Sequence, residues 1–266
     1  MLDDLVMRVI ASNAGVMTGA GTNTYLVGRD ELIVIDPGPE EPAHIQAVLA
    51  AGAGRIRRIL CTHTHPDHAA AADALRKRTA APLAGLGSPD TAHDVNVVMD
   101  QILTDGESVA VGGHTVRVLA TPGHASNHLC FLLEETGMLF TGDHIMQGST
   151  VVIWPPDGNM GRYLESLRRL HDEQLNILAP GHGYLIGNPY AEVDRLIQHR
   201  LRREDKVRST LRACGGAATL ETLLPRVYSD VSQSLHPIAA RSLQAHLDHL
   251  LENNEVTFDA GCYVCR

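Results

Sequence analysis

Short runs of β-branched residues alternate along most of the chain with longer runs rich in alanine and leucine. The short runs predict strands at residues 7–10, 24–27, 32–35, 58–61, 114–119, 128–133, 138–141 and 176–179, most of them bounded by Gly, Pro, Asp or Asn. The longer runs predict helices at residues 42–51, 67–79, 163–171 and 189–211. Because helices and strands alternate, the pattern indicates α/β layering in which helices cover sheets.

The pattern changes near residue 200. The long helix becomes basic there, and after Gly215-Gly216 two more helical runs, 219–227 and 237–253, precede two short strand-like runs, 255–258 and 262–265. Helices followed by a hairpin are typical of a small winged-helix module. We therefore predict two domains, a larger one over residues 1–203 and a winged-helix-like one over residues 204–266.

Length and composition indicate an ordinary globular protein. The 266 residues are 44% hydrophobic, and a chain of this size buries a substantial core without disulfides. No apolar run approaches the roughly 18 residues that span a membrane, and the acidic start at Asp3 and Asp4 does not match a signal peptide. Five scattered cysteines favour a reducing compartment, so we expect a cytoplasmic protein.

The net charge of −9 is unevenly distributed. Residues 1–199 carry 13 Lys and Arg against 23 Asp and Glu, whereas residues 200–266 carry 9 against 8. An acidic body argues against nucleic-acid binding by the whole surface, although a local basic groove stays open. The predicted recognition helix 237–253 has one arginine, so we do not expect specific DNA binding.

The densest group of metal-ligand side chains follows the strand at 58–61 and reads Thr62-His63-Thr64-His65-Pro66-Asp67-His68. In an extended chain, alternate residues project to the same side, so His63 and His65 can bind one ion. Pro66 then begins a helix, which lets Asp67 and His68 reach a second point. Four ligand-type side chains in six residues favour a two-metal cluster over one tetrahedral site.

Three further loops place His or Asp beside glycine at the end of a strand: Thr121-Pro122-Gly123-His124, Thr141-Gly142-Asp143-His144 and Pro180-Gly181-His182-Gly183. Loops at strand ends bring their side chains to one edge of a sheet, where a shared site can form. Glycine permits the tight bends that turn such side chains inward.

These motifs resemble the complete ligand series of the metallo-β-lactamase superfamily, and Asp36 resembles the superfamily's first motif. The resemblance covers residues 1 to about 200 and implies an αββα sandwich with two Zn²⁺ ions per chain, the second site also accepting Fe or Mn. It implies that the first zinc is held by His63, His65 and His124, the second by Asp67, His68 and His182, and that Asp143 bridges them. The familiar zinc β-lactamases have Cys at that bridging position, which argues against antibiotic hydrolysis.

Several segments are similar to the β-lactamase-like protein 2 branch, which carries a C-terminal winged helix: 142–146, 148–152, 156–160 with Tyr163, and 199–200 with 203–204. Members of this branch include a single-strand-specific endoribonuclease and thioesterases that release polyketides from acyl carrier protein. Glyoxalase II, a thioester hydrolase, is a neighbouring branch.

We therefore expect a dinuclear zinc hydrolase that uses a metal-bridging hydroxide, oriented by Asp67, on a small or carrier-bound ester or thioester. A metal-dependent endoribonuclease acting on single-stranded RNA, and a binding or regulatory protein that works through its winged helix, are the alternatives. Trp154, Asn159 and Tyr163 are candidate residues of the substrate pocket, although Trp154 fits equally a hydrophobic anchor. The expected partners are small-molecule or acyl-carrier substrates, and we expect no contact with a membrane. The oligomeric state stays open.

Overall fold

The computed structural model describes residues 4–89 and 94–266. The chain forms two compact units. Unit 1 contains residues 1–121, 127–151 and 172–190, and unit 2 contains residues 122–126, 152–171 and 191–266. Within the described ranges, no helix has the length and apolar character needed to cross a bilayer.

The first sheet of unit 1 has six strands in sequential order: β1 (Val6–Ile10), β2 (Asn23–Gly28), β3 (Leu32–Ile35), β4 (Ile56–Leu60), β5 (Leu83–Gly85) and β6 (Gln101–Ile102). β1, β2 and β3 pair antiparallel, and the remaining neighbours pair parallel. The crossover between β3 and β4 is helix α1 (Pro42–Gly52), which begins with proline in its first turn.

The second sheet of unit 1 has five strands: β7 (Ser108–Val111), β8 (His114–Ala120), β9 (Leu129–Leu133), β10 (Met138–Gly142) and β11 (Ile177–Pro180). Their spatial order is β11-β10-β9-β8-β7, and only the β10–β11 pair is parallel. The carboxyl ends of β10 and β11 therefore lie side by side, which brings the loops after them together.

The two sheets enclose a common apolar core. Ile33 and Ile35 of β3 pack in one cluster with Val118 and Phe131 of the second sheet. The alternate residues of β3 pack in another cluster, together with residues of α1 and of the helix after β4. Because strand side chains alternate between faces, β3 is apolar throughout and buried on both sides.

The helix predicted over 67–79 is divided into α2 (Pro66–Ala69) and α3 (Ala72–Thr79). The break follows from a tertiary contact, because the N–H of Ala71 donates to the carbonyl of Gly38 at 2.9 Å instead of to the preceding turn. α2 is thereby a single turn, which presents Asp67 and His68 and then stops.

Unit 2 contains α4 (Met160–Arg169), most of α5 (Pro189–Ala213), α6 (Leu220–Val227), α7 (His236–Glu252) and the strands β12 (Ala217–Ala218), β13 (Val256–Asp259) and β14 (Cys262–Cys265). The three strands form one antiparallel sheet. Leu211, Leu223, Leu247 and Tyr263 share a buried cluster in this unit. α5 continues without a break through residue 203, and the proposed domain boundary there stays a prediction.

The eight predicted strands of the larger domain are all present, with ends shifted by up to two residues. The strands that the sequence did not predict are β5, β6, β7 and β12, which have two to four residues each. With two or three residues, β5, β6 and β12 contain too few alternating positions to stand out from loops.

The common apolar core predicts that two valine-to-alanine substitutions differ in their effect on the free energy of unfolding. Val118→Ala removes two methyl groups from a fully buried position in β8. We expect it to lower the free energy of unfolding by about 2–3 kcal/mol, because burial is lost and a cavity forms. Val98→Ala, at a position whose side chain is 69% exposed, should change it by less than about 0.5 kcal/mol. Urea denaturation measures both, and equal losses would contradict the core assignment.

Candidate metal centre

Strand ends position most of the predicted ligands of unit 1. His63 and His65 follow β4, Asp143 follows β10 and His182 follows β11. The turn after β4 is held by the second sheet, because the N–H of Leu129 donates to the carbonyl of Thr62 at 2.7 Å. Asp67 and His68 lie in the single turn of α2, as the Pro66 signal predicted.

The imidazole rings of His68 and His182 face each other. Their Nε2 atoms are 3.3 Å apart, and both residues are buried. Nδ1 of His68 donates to Asp36 at 2.8 Å, and Nδ1 of His182 is 3.4 Å from the carbonyl oxygen of Gly21. Because each Nδ1 has an oxygen partner, both Nε2 lone pairs are directed at the same point, as in a metal site.

The carboxylates of Asp67 and Asp143 lie at the same point. Asp67 Oδ2 is 3.2 Å from His182 Nε2 and 3.6 Å from His68 Nε2, and Asp143 Oδ1 is 3.4 Å from both nitrogens. Within unit 1, two sets of three have all their ligand atoms within 4.8 Å of one another: His63, His68 and Asp143, and Asp67, His68 and His182. Imidazole nitrogens and carboxylate oxygens are donors that zinc, iron and manganese accept, so the residues fit metal ions.

The turn after β4 adds a second ring pair. His63 Nε2 is 2.9 Å from His65 Nδ1, and His63 Nδ1 is 3.0 Å from the hydroxyl of Thr62. That hydroxyl donates its only proton to Asp36, so it accepts the Nδ1 proton of His63. Nε2 of His63 therefore keeps a lone pair for a ligand role.

Charge in the cluster favours cations. Burial is the largest influence on His68 and opposes its protonation, but Asp67, Asp143 and Asp36 outweigh it and raise the pKa of His68 well above its usual range. Burial likewise opposes protonation of His182, and the same two ligand carboxylates raise its pKa. For Asp67, burial acts to raise the pKa, yet His68 and His182 lower it overall. An environment that attracts protons to imidazoles also attracts metal ions, which compete for the same nitrogens.

Asp36 organises the turn that carries these candidate ligands. Its carboxylate accepts the N–H and hydroxyl of Thr62 at 2.7 and 2.9 Å and the Nδ1–H of His68 at 2.8 Å. Asp36 is 2% exposed and has a φ of 52°, in the left-handed region that aspartate tolerates better than most residues. The sequence had identified Asp36 but not Thr62, whose only signal was its position directly before His63.

His128 fixes the backbone of Asp143. Its Nε2 accepts the N–H of Asp143 at 3.2 Å, so Nδ1 carries the proton and contacts the hydroxyl of Thr121 at 2.9 Å. The ring of His128 also stacks on that of His63 at a centroid distance of 5.0 Å. Gly142 permits this approach, because a Cβ there would lie 2.9 Å from His128 Nε2.

His124 lies in unit 2, in the loop after β8. Its Nδ1 is 2.8 Å from the carbonyl oxygen of Val152 and must donate to it. Nε2 is consequently the acceptor nitrogen of this ring, which suits a ligand. Its place in the ligand set stays a prediction.

The three candidate pocket residues also lie in unit 2. Tyr163 is fully buried beneath the guanidinium of Arg200, which is 5.2 Å from the ring centroid. Asn159 caps α4, since its side chain accepts the N–H of Arg162 at 2.9 Å. Trp154 is 36% exposed and stacks against Arg241. Each side chain has a structural role in unit 2, and the substrate-binding role stays a prediction.

A two-sheet sandwich with histidine and aspartate at its strand ends defines a class of metal-dependent hydrolases. Residues 17–182 match the metallo-beta-lactamase superfamily, and residues 219–261 match the beta-lactamase associated winged helix domain. The chain belongs to the metallo-beta-lactamase superfamily and is a metal-dependent hydrolase. The expected fold, a metallo-β-lactamase domain followed by a winged helix, is confirmed.

Relatives that match this chain over most of their length support its similarity to the β-lactamase-like protein 2 branch. The chain is 34% identical to an atrochrysone carboxyl ACP thioesterase of Aspergillus chevalieri, over 92% of this chain and 79% of the relative. It is 30% identical to a beta-lactamase-like protein 2 homolog of Caenorhabditis elegans, over 96% and 87%. A metallo-beta-lactamase family protein from Thermus thermophilus has the same fold, with a TM-score of 0.81 at 23% identity over the whole of both chains.

The Asp36 contacts predict the effect of an isosteric substitution. Asp36→Asn keeps the shape of the side chain and tolerates the left-handed backbone, but its amide group presents donors to the donors of Thr62 and His68. We expect the free energy of unfolding of the metal-free protein to fall by about 1–3 kcal/mol, measured by urea denaturation.

The matched control for this substitution is Asp105→Asn. Asp105 accepts the N–H of Ala120 at 2.8 Å, at an exposed position. The amide oxygen of asparagine can still accept that bond, so the loss should stay below about 0.5 kcal/mol. An Asp36→Asn protein as stable as this control would show that the three contacts do not stabilise the turn.

Proposed function

We propose that the protein is a dinuclear zinc hydrolase that cleaves carrier-bound or small thioesters and esters. In this proposal His63, His65 and His124 bind the first ion, Asp67, His68 and His182 bind the second, and Asp143 bridges the two. The observation that supports it most is the convergence of the Asp67 and Asp143 carboxylates, at 3.2–3.6 Å, on the Nε2 atoms of His68 and His182.

Two sites account for this arrangement better than one. His68 belongs to both of the three-residue sets in unit 1, while His63 and His182 each belong to one of them. A single tetrahedral ion would use four donors and leave further buried donors without a cation. Two ions that share Asp143 give every donor a role.

Asp67 is the residue we assign to proton transfer. Its side chain is 28% exposed, whereas His68 and His182 beside it are buried, so it is the acidic group that solvent and substrate reach. Metal ions bound here would supply Lewis-acid polarisation and bring the pKa of a water towards about 7. The carboxylate of Asp67 orients the attacking water and accepts its proton, which passes to the thiolate or alkoxide that leaves.

The thioester class is favoured over RNA. The relative from Aspergillus chevalieri is named as a thioesterase, and the acidic body of this chain does not attract a polyanion. In addition, arginines of α5 that could contact phosphate are already paired: Arg195 with Glu192, and Arg203 with Asp230. An endoribonuclease acting on single-stranded RNA is the alternative function that the reaction assay tests. We do not propose a regulatory protein that works through its winged helix.

A cytoplasmic setting is part of the same proposal. It rests on the small, odd number of scattered cysteines in the sequence.

The first test counts and identifies metals. Elemental analysis of the protein as purified, and again after zinc reconstitution, should give two ions per chain, with zinc predominant in the purified sample. Asp143→Ala should lower this number, because the bridging carboxylate is lost. Clearly fewer than two ions in the reconstituted wild-type protein would contradict the dinuclear site, and iron or manganese in place of zinc would contradict the metal assignment.

The second test identifies the reaction. Zinc-loaded protein is incubated with acyl-glutathione and acyl-carrier thioesters, and the free thiol is measured. Asp67→Asn should reduce kcat by about 10²–10⁴-fold, the range for loss of a positioned acid–base group, while Asp105→Asn retains activity. End-labelled single-stranded RNA is run in parallel. Cleavage of RNA without thiol release would replace the thioesterase proposal with the ribonuclease.

A further inference from the structure

We propose that helix α7 of the winged-helix module positions the side chain of His124, through Arg241 and Glu252, and so sets the affinity of one of the two proposed metal sites. The inference rests on the proposed function in one respect, namely that His124 is a ligand. It assigns a role to the C-terminal module that needs no nucleic acid and no second catalytic group.

The loop that carries His124 is seated on α4. The carbonyl of Gly123 accepts the N–H of Asn159 at 2.8 Å, and the carbonyl of Pro122 accepts the hydroxyl of Ser166 at 2.8 Å. Gly123 has a φ of 144°, and a Cβ there would lie 2.4 Å from the Cα of Tyr163. The loop therefore touches the backbone of α4 directly, and a shift of α4 would move His124.

The ring of His124 is oriented by the segment that precedes α4. Its Nδ1–H donates to the carbonyl of Val152 at 2.8 Å, which directs Nε2 away from that segment. Two residues further along the loop, the N–H of Ser126 donates to Asp157 at 2.9 Å. Residues 152–157 thus determine both the tautomer and the direction of the ring.

Helix α7 contacts both the segment 152–157 and the start of α4. The guanidinium of Arg241 lies over the ring of Trp154, 4.5 Å from its centroid, two residues beyond Val152. At the other end of α7, Glu252 accepts the side-chain N–H of Asn159 at 2.9 Å. The ring of His249 packs beside Gly161, where a Cβ would lie 3.1 Å from it. Three contacts along one helix therefore fix the segment and the start of α4.

Helix α7 is itself anchored to α5 by a buried carboxylate. Glu204 is 1% exposed, and it accepts a bond from His249 at 2.8 Å and one from Arg208 at 2.8 Å. Burial acts to raise the pKa of Glu204, but its hydrogen bonds to His246 and His249 outweigh burial and lower it to about 2. Glu204 thus stays ionised across neutral pH and keeps α7 in place.

The proposal gives Trp154 and Asn159 a function other than substrate binding. Their side chains connect α7 to the backbone groups, Val152 carbonyl and Asn159 N–H, that orient the His124 loop. Both are positioning residues, since they act through His124. Their substitution should change metal affinity even when no substrate is present.

The test measures metal affinity in the full-length chain. Zinc is titrated into the metal-free protein in competition with a chromophoric chelator, for the wild type, Arg241→Ala, Glu252→Ala and the double variant. Loss of groups that orient a ligand weakens metal binding by about 10–100-fold, and for contacts one step further away we expect about 3- to 10-fold for the double variant. Only one of the two ions should be affected, because Asp67, His68 and His182 belong to unit 1.

Two variants distinguish a loss of His124 positioning from a general disturbance of α7. Glu252→Gln retains an oxygen that can accept the Asn159 N–H, so it should restore wild-type affinity. Gln244→Ala, on the same helix, removes bonds to Asp248 and Tyr263 and should leave both affinities unchanged. Arg241 is exposed, so the single variant Arg241→Ala gives a result even if the double variant does not fold.

His124→Ala distinguishes this inference from the proposed function. If His124→Ala still binds two ions with wild-type affinity, His124 is not a ligand, and the ligand assignment fails together with the inference. If His124→Ala loses one ion while Arg241→Ala and the double variant bind both normally, the ligand assignment stands and the inference is overturned. Equal weakening by Gln244→Ala would also overturn it.

Discussion

The contact between the Asp36 carboxylate and the turn after β4 is the constraint on which the metal centre depends. One buried side chain binds the backbone and hydroxyl of Thr62 and the ring of His68. Burying a carboxylate costs free energy unless its oxygens accept hydrogen bonds, so the buried position of Asp36 is favourable only when the turn is in place. In return it gives the two histidines beside it, His63 and His68, a defined tautomer. Sheet, turn and ligand geometry are thus coupled through one group.

The apolar core and the polar centre are complementary parts of unit 1. Strands β3, β4, β10 and β11 are buried along most of their length, which leaves their carboxyl ends as the places where polar side chains can collect. The parallel pairs β3–β4 and β10–β11 bring those ends together within each sheet. The excess of carboxylates over fixed cations at this edge explains both the raised pKa values of His68 and His182 and the suitability for metal ions.

The winged-helix module differs from a nucleic-acid reader in how its charges are used. In α5 and α7, Arg203, Arg208 and Arg241 contact Asp230, Glu204 and Trp154 of the same unit. These three arginines make their contacts within the unit. Two histidines of α7 are used in the same way, since His246 and His249 both contact Glu204. This arrangement agrees with a supporting role for the module.

The amino-acid sequence by itself determined the fold class and eight strands of the larger domain, and it predicted the residues of the unit 1 cluster. It could do so because the information is local: alternation within a strand, proline at the start of α2, and four ligand-type side chains within six residues. The contacts of Asp36 with Thr62 and His68 span 26 and 32 residues, and no local pattern predicts their geometry.

Only the tertiary structure decided the roles of residues whose contacts lie far away in the chain. The break between α2 and α3 follows from the Gly38 carbonyl, which takes a helical N–H from a distance of 33 residues in the chain. The close approach of Gly123 to Tyr163 and the bond between Asn159 and Glu252 depend on neighbours in the loop 122–126 and in α7. His124 was recognisable from its motif, but its orientation by Val152 and its place in unit 2 were not. Side chains of this kind are specified by packing between distant segments, which a single sequence does not display.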